Sequence, residues 1–187
     1  MDIEPTITPD TVLTITPNGV KETPSHEKET VLGRKTFGDK IDITDPCYKR
    51  ETWCRMNDVE IEPGEYECYI TTMDNEATDG WGERVSEIGI RNTAYVKDPY
   101  TLVYEHIGQI GVDSGLAGFF NHKLDYTTED WLALCEEICA LKSQAWIRED
   151  GFFSGSGYGD GDYDVFAASE DGKVIALFIE FIDPDNE

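Results

Sequence analysis

Basic residues are scarce in this chain of 187 residues. Lys and Arg together number 15 against 39 Asp and Glu, so the formal net charge is -24 at pH 7. Proteins hold nucleic acid largely through Lys and Arg contacts to phosphates, so bare nucleic acid is not the expected ligand. An anionic membrane is disfavoured for the same reason, whereas basic proteins and metal ions are attracted. The composition therefore predicts a basic protein partner, without direct binding to nucleic acid or membrane.

Long apolar runs and a secretion signal are also lacking. No stretch of about 18 apolar residues occurs that would span a bilayer. The segment from Met1 to Pro5 has neither the basic nor the apolar region of a signal peptide. Five cysteines, scattered and odd in number, are typical of a reducing compartment rather than of a disulfide framework. These features predict a cytoplasmic protein.

The acidic residues are unevenly distributed along the chain. Positions 125–187 hold 16 acidic and 3 basic residues, whereas eight of the 15 basic residues lie between Lys21 and Arg55. The C-terminal part is therefore expected to present a strongly acidic surface.

The length suits one domain with its own core. Residues 1–36 are rich in Thr, Pro, Glu and Lys, and we predict that they form a polar N-terminal arm. Within this arm, Thr11–Ile15 is predicted to be a short edge strand and Lys21–Thr30 a loop. Residues 37–187 are predicted to form a single β-rich domain.

Most of that domain reads as short strands separated by turn residues. Val59–Ile61, the turn dipeptide Pro63-Gly64 and the alternating segment Glu65–Ile70 predict a hairpin. With one helix added, the predicted fold class is α+β and β-rich, with a mostly antiparallel sheet or sandwich.

One segment has helical periodicity. Thr127 or Thr128 is a suitable N-cap, and acidic residues follow in the first turn, where the helix dipole favours them. Apolar residues then recur at helical spacing, at Trp131, Leu134, Cys135, Ile138 and Leu141. We therefore predict one main packed helix over about residues 128–146.

A glycine-rich segment, Ser154–Asp164, combines backbone freedom with carboxylates. Apolar runs on either side predict a strand, a glycine loop, a second strand, a turn at Ser169–Gly172 and a third strand. Glycines at positions 155, 157, 159 and 161 permit φ values that other residues avoid, and we expect Gly157, Gly159 and Gly161 to serve mainly the shape of the backbone.

The same segment supplies candidate ligand-binding residues. Asp160, Asp162 and Asp164 place oxygen donors at alternate positions, the ligand type that hard cations such as Ca²⁺ prefer. The EF-hand pattern fails, because its sixth position is Val165 and its twelfth Asp171. The alternative is a strand-connecting turn whose carboxylates are solvated. A divalent cation is thus a possible cofactor at these three residues, and none is otherwise implied.

A second motif is Asp45-Pro46-Cys47-Tyr48, at the end of a predicted strand. Asp45 precedes a proline, which favours extended backbone, and its side chain can accept backbone N–H groups in an Asx turn. Cys47 is the best candidate for a reactive thiol, but such a nucleophile usually has a histidine base. The histidines are His26, His106 and His122, and nothing in the sequence pairs one of them with Cys47.

A third motif, Asp113-Ser114-Gly115, also follows a predicted strand. The nucleophile-elbow pattern G-x-S-x-G is not present, because Gly111 precedes Ser114 by three positions. We interpret the motif as a tight turn in which Asp113 caps backbone groups.

The three motifs together resemble a known family. The residues are Asp45–Tyr48, Gly111–Phe120 and Ser156–Tyr163. Their order and the closing hairpin resemble small bacterial and bacteriophage proteins of the family called domain of unknown function 4241 and its relatives. The resemblance covers about residues 37–182 and implies a β-rich fold in a phage or bacterial setting, without established chemistry.

These observations lead to two classes of function. The first is a small acidic cytosolic binding protein rather than an enzyme. It would occupy or inhibit a basic partner that binds nucleic acid, such as a host-defence nuclease of the CRISPR type. A close variant is an immunity-type protein that neutralises a basic toxin. The second is a metal-dependent enzyme or ligand-binding protein whose site is built from Asp45, Asp113 and Asp160. The candidate binding residues are Asp45, Cys47, Tyr48, Asp113, Ser114, Tyr158, Asp160 and Asp162.

Overall fold

A computed structural model of the chain describes residues 11–16, 19–24, 27–74 and 82–183, with side chains from residue 27 onward. These residues contain one α-helix, α1 (Thr128–Ala140), and a short 3₁₀ helix at Pro99–Thr101. The strands are β1 (Thr11–Thr16), β2 (Gly19–Pro24), β3 (Glu27–Phe37), β4 (Lys40–Thr44), β5 (Met56–Glu60), β6 (Gly64–Asp74), β7 (Glu83–Asn92), β8 (Glu105–Val112), β9 (Leu116–Asn121), β10 (Ala145–Ile147), β11 (Gly151–Gly155), β12 (Gly161–Glu170) and β13 (Lys173–Glu180).

The strands form antiparallel sheets, as predicted. One sheet has five strands in the order β10-β11-β9-β4-β5, and a second has six in the order β3-β6-β7-β13-β12-β8. Strands β1 and β2 pair with each other in a two-stranded sheet. The fold is therefore β-rich with one α-helix in the described residues.

Both large sheets contribute side chains to one buried cluster. Ile41 and Phe119 come from the five-stranded sheet, and Tyr66, Ile88 and Leu177 come from the six-stranded sheet. The alternation of side chains along each strand sends every second residue toward this cluster. The shared core holds the two sheets together and fixes where their connecting loops meet.

The helix begins where the sequence predicts and ends earlier. Thr127 is the N-cap, and its side chain and that of Asp130 form a reciprocal capping box. The helix ends at Ala140, because Leu141 adopts an extended backbone with φ -100° and ψ 113°. Its buried residue is Leu134. In the described residues, no helix is both long and apolar enough to cross a membrane.

The predicted last turns of the helix are wrong, because residues 145–147 form β10. Trp146 pairs with Phe153 of β11, and their rings stack with centroids 5.4 Å apart. This pairing satisfies backbone groups and buries aromatic area together, which outweighs the local helical periodicity. The apolar helix face is also narrower than predicted, since Leu141 is 49% exposed.

The predicted hairpin at residues 59–70 is wrong as well. β5 pairs with β4 in the five-stranded sheet, whereas β6 pairs with β3 and β7 in the other sheet. Pro63-Gly64 is therefore a crossing between sheets rather than a hairpin turn. The predicted alternation within β6 is confirmed, since Tyr66, Cys68 and Ile70 are all buried.

The N-terminal segment contributes more structure than the predicted loop. The predicted strand at Thr11–Ile15 is confirmed as part of β1, but Lys21–Pro24 belongs to β2 and Glu27–Thr30 to β3. β3 pairs with β6 along its length, so the six-stranded sheet extends into the segment assigned to the arm. The sequence Pro17-Asn18-Gly19 also predicts a turn here, of which Pro17 and Asn18 lie outside the described residues.

The six-stranded sheet buries charged groups on the face turned away from the shared core. The Arg91 guanidinium lies 3.9 Å from the centre of the Tyr69 ring and donates to Glu29 at 2.6 Å. The Tyr69 hydroxyl donates to Glu87 at 2.7 Å. Burial, together with the charges of neighbouring acidic residues such as Glu29, raises the pKa of Glu87 to about 7, although the hydrogen bond from Tyr69 lowers it.

Replacing Glu87 by Gln should change how stability depends on pH. The folded pKa is about 7 and the reference value is 4.5, so the folded state binds more protons between these values. The free energy of unfolding of the parent protein should therefore fall by about 3 kcal/mol as pH rises from 4.5 through 7. Gln accepts the same hydrogen bond without titrating, so its unfolding free energy should gain about 3 kcal/mol on the parent from pH 5 to pH 8.

Urea unfolding at both pH values measures this difference. The exposed Glu136→Gln is the matched control and should follow the parent at each pH. If the free energy of unfolding of Glu87→Gln changed with pH as that of the parent does between pH 5 and pH 8, the raised pKa of Glu87 would be contradicted.

Candidate functional site

Asp45 is a fully buried carboxylate at the end of β4. One oxygen, Oδ1, accepts from the Cys47 N–H at 2.8 Å and from the Ser114 hydroxyl at 2.7 Å. The other, Oδ2, accepts from the Asp113 N–H at 2.8 Å and from the Ser114 N–H at 2.7 Å. Four donors thus replace the water molecules that the carboxylate loses on burial.

These bonds join two of the motifs found in the sequence. The Cys47 bond is the predicted Asx turn, and it is accompanied by a bond from Tyr48 N–H to the Asp45 carbonyl at 3.2 Å. The turn between β8 and β9 is tight, as predicted, with Gly115 at φ +73°. The capping residue differs from the prediction, because Asp45 caps this turn while Asp113 itself is exposed.

The glycine loop is the third part of the site and connects β11 to β12, as predicted. Ser156 N–H donates to the Gly115 carbonyl at 3.0 Å, which ties the loop to the β8–β9 turn. The Ser156 hydroxyl and the Tyr163 hydroxyl both donate to the Gly159 carbonyl at 2.7 Å. The three motifs therefore meet at one end of the two sheets.

The loop glycines have different roles. Gly157 and Gly159 have positive φ values of +63° and +114°, which L side chains rarely adopt. A Cβ on Gly157 would also lie 3.1 to 3.2 Å from atoms of Ile182, Phe181 and Val85. Gly161 is not left-handed, so the expected constraint on backbone shape applies to two of these three glycines.

The three carboxylates Asp160, Asp162 and Asp164 differ in exposure and in their partners. Asp160 and Asp162 are exposed, whereas Asp164 accepts from Gln109 at 3.3 Å and lies 3.0 Å from His106 Nε2. In the described ranges, no group of three or more His, Cys, Asp or Glu side chains is placed to hold a metal ion. The metal site predicted at these residues stays a prediction.

The three-aspartate alternative meets a specific obstacle. Asp45 and Asp113 are neighbours through a 2.8 Å hydrogen bond, and Asp160 directly precedes Gly161, which pairs with Val112. The Asp45 carboxylate, however, already accepts four hydrogen bonds from its own chain. A ligand at this carboxylate would have to displace some of them, at a cost of about 1.5–3 kcal/mol each.

Cys47 and Tyr48 both lie in surroundings that favour their neutral forms. Burial, with the nearby Asp45 carboxylate, raises the pKa of Cys47 to about 12. Burial likewise raises the pKa of Tyr48 to about 12. A nucleophilic cysteine usually has a lowered pKa, so these surroundings do not favour Cys47 as a reactive thiol.

The histidines have other partners. His106 contacts Asp164, and His122 contacts Asp58 in a short hydrogen bond. His26 lies outside the described residues. Ser114 donates its hydroxyl to Asp45 rather than to a histidine, so neither His106 nor His122 pairs with Cys47 or Ser114 in the described residues.

A second buried carboxylate, Asp42, lies in β4 three residues before Asp45. The sequence did not indicate its role. Asp42 is fully buried and accepts from Arg50 at 2.6 Å, from Arg55 at 3.2 Å and from the Asp58 N–H at 3.0 Å. Arg55 also donates to the Tyr48 carbonyl at 2.6 Å. This network holds the segment between β4 and β5, and the only sequence signal was the clustering of basic residues before position 56.

A cleft of about 200 Å³ borders the glycine loop. Its lining includes Trp146, Gln144, Gly155 and Gly157, and the buried Trp146 Nε1 has no hydrogen-bond partner in the described part of the chain. The volume is below the roughly 300–1,000 Å³ typical of ligand pockets. Another cleft, of about 520 Å³, is lined by residues near Lys40 and Lys173 and contains none of the predicted site residues.

The outer side of the site carries unpaired charge and exposed rings. Among residues 27–74 and 82–183, the salt bridges do not include Asp113, Asp160 or Asp162. Tyr158 is 44% exposed in the glycine loop, and Trp53 is 88% exposed. We call these five residues the acidic rim.

Replacing Asp45 by Asn should destabilise the protein strongly. The amide keeps the shape but loses the charge and turns one acceptor into a donor that faces N–H groups. We expect a loss of about 3 kcal/mol or more in the free energy of unfolding, measured by urea denaturation. The exposed Asp113→Asn should change it by less than about 0.5 kcal/mol, and equal effects of the two variants would contradict the role of Asp45.

Cys47 should resist alkylation in the folded protein. At pH 8 its thiol is almost entirely protonated, because its pKa is about 12, so iodoacetamide should modify it at least tenfold more slowly than the exposed Cys139. Peptide mass mapping over time gives both rates in one sample. Modification of Cys47 as fast as that of Cys139 would restore it as a reactive thiol.

Comparisons of the chain with protein-family models, with curated proteins and with solved structures find no match. The resemblance to domain of unknown function 4241 therefore stays a prediction. What the molecule does has to be inferred from the buried Asp45 junction and from the acidic rim beside it.

Proposed function

We propose that this protein is a non-enzymatic binding protein that occupies a basic surface on a partner protein. The observation that carries the proposal is the acidic rim, where exposed carboxylates without a salt bridge in the described residues lie near exposed aromatic rings. The net charge of -24 adds a long-range attraction for a basic partner. The rim supplies the short-range contacts.

The chemistry of the neighbouring groups supports binding over catalysis. Asp45 and Ser114 are engaged with each other, and the pKa of Cys47 is raised to about 12. Catalytic groups generally have accessible polar atoms and pKa values near the working pH. The residues exposed to another molecule are instead the rim residues Asp113, Tyr158, Asp160 and Asp162.

The rim has the composition of an interface. Tyr and Trp are enriched among the residues that dominate binding energy, and both ring types attract Lys and Arg through cation–π contacts. Carboxylates beside Tyr158 and Trp53 would orient those cations. We therefore expect the partner to present Lys or Arg together with apolar surface.

The partner that fits best is a nucleic-acid-binding protein, because such proteins carry basic surfaces. In the phage or bacterial setting that the family resemblance implies, this includes a host-defence nuclease such as a CRISPR effector, which the acidic protein would inhibit in the cytoplasm. An immunity-type role against a basic toxin is the close variant.

We also propose that the two large sheets pack as a sandwich, which their shared core supports.

Affinity purification from the host, followed by binding measurements with the recovered partner, tests the proposal. The partner should be basic, and its affinity should fall steeply as salt rises from 50 to 300 mM. Asp160→Asn with Asp162→Asn should weaken binding about tenfold. The matched pair Glu136→Gln with Glu149→Gln removes the same charge from exposed positions elsewhere and should weaken it less than about twofold.

The contrary results are equally clear. Acidic partners, or an affinity that does not change with salt, would refute the proposal. Equal weakening by both double variants would show that net charge acts alone and that the rim is not the interface.

A further inference from the structure

Strand β8 is a long sheet edge that contains no Lys or Pro. The large sheets end at β10, β5, β3 and β8. β10 has three residues and β5 has five, whereas β3 carries Lys28, Arg34 and Lys35. Short length and Lys side chains are the common devices that prevent edge pairing. β8 has eight residues and contains neither Lys nor Arg.

Part of the outer side of β8 has no backbone partner among the described residues. Gly111 N–H donates to the Cys54 carbonyl at 3.0 Å, on the side away from β12. Backbone groups of alternate residues point to the same side of a strand, so the N–H and C=O of Gln109 also face outward. In the described part of the chain, this bond from Gly111 is the one backbone–backbone hydrogen bond on the side of β8 away from β12. The segment before it, residues 105–109, is largely exposed.

Side chains around this edge combine apolar and acidic groups. Ile107 is 40% exposed, Val103 just before the strand is 80% exposed, and Trp53 next to Cys54 is 88% exposed. Asp162 and Asp164 lie on the adjacent strand β12, opposite Gly111 and Gln109. β12 also lacks Lys and Arg, so the two outermost strands present carboxylates without fixed positive charge.

We propose that an extended basic segment of the partner adds to β8 as a further strand. This inference rests on the proposed function and names the contact that the partner makes. The added strand would take hydrogen bonds from Gln109 and place alternate Lys or Arg side chains over the face of Asp162 and Asp164. Those carboxylates would lie on the order of 10 Å from it, two strand spacings away, which long basic side chains reach.

The remaining side chains of the added segment should be apolar. They would meet Ile107 and Val103 at one end and Trp53 at the other. The β8–β12 register shifts between Val165 and Phe166, opposite Ile107, and such a bulge limits the length of regular pairing. The segment should therefore be short, with side-chain contacts adding to a few backbone bonds.

Charge selects the occupant. A second copy of this chain would bring its own net charge of -24 and its own carboxylates to the same edge, and like charges placed opposite each other destabilise strand pairs. A basic segment reverses the sign of that interaction. Strand addition supplies affinity through the backbone and specificity through alternate side chains.

A ten-residue peptide of alternating Lys and Val is a direct probe. We expect it to bind at 50 mM salt with a change in tryptophan fluorescence, and a peptide of alternating Glu and Val not to bind. Gln109→Pro removes an outward N–H that β12 does not use, which an edge strand tolerates, and should weaken the Lys–Val peptide at least tenfold. Its melting temperature, measured in parallel, shows whether the fold is kept.

Charge and backbone contributions are separated by two further comparisons. Glu105→Lys on β8 and Glu136→Lys on α1 change the net charge equally at exposed positions, and the β8 variant should bind the peptide at least fivefold more weakly than the helix variant. Peptides N-methylated only at Lys or only at Val should differ at least tenfold, because one set of amides faces β8. This last test needs no variant and stays valid if Gln109→Pro fails to fold.

The outcomes separate this inference from the proposed function. Equal binding of the peptide to the parent, Gln109→Pro and Glu105→Lys would overturn strand addition at β8, as would equal binding of the two methylated peptides. The recovered partner would still bind in a salt-dependent manner if the proposed function holds, and its failure to do so refutes that function separately. Self-association that Gln109→Pro abolishes, seen by light scattering, would make a second copy the occupant and overturn the basic segment.

Discussion

The burial of the Asp45 carboxylate is the constraint on which this end of the molecule depends. A buried charge is tolerated only where donors replace its lost hydration. Here the donors come from Cys47, Asp113 and Ser114, so the end of β4 and the β8–β9 turn must lie side by side. The bond from Ser156 to Gly115 then brings the glycine loop to the same place.

The acidic residues divide into two groups by burial. Asp42 and Asp45 are fully buried and Glu87 is partly buried, and they accept hydrogen bonds from arginine, serine, tyrosine or backbone donors. Asp160 and Asp162 lie outside, free to meet solvent or a partner. The buried group shapes the fold, and the exposed group gives the surface its character, so net charge alone overstates how many carboxylates are free for binding.

The local patterns predicted much of the secondary structure. The strand–loop–strand arrangement around the glycine loop, the N-cap at Thr127 and the Asx turn at Asp45 depend on residues close in sequence, and all three are present. The errors lie where distant pairing competes with local preference. β5 and β6 pair with different sheets, and Trp146 joins β11 instead of extending the helix.

The candidate site shows the same division. The sequence by itself determined the acidic charge, the positions of the three motifs and their turn-forming residues, because these follow from composition and short-range chemistry. Only the tertiary structure decided that the Asp45 carboxylate is hydrogen-bonded within its own chain, that burial raises the pKa of Cys47 and that β8 lies at the edge of its sheet. Each of these depends on burial or pairing between segments far apart in the chain, which no local pattern encodes.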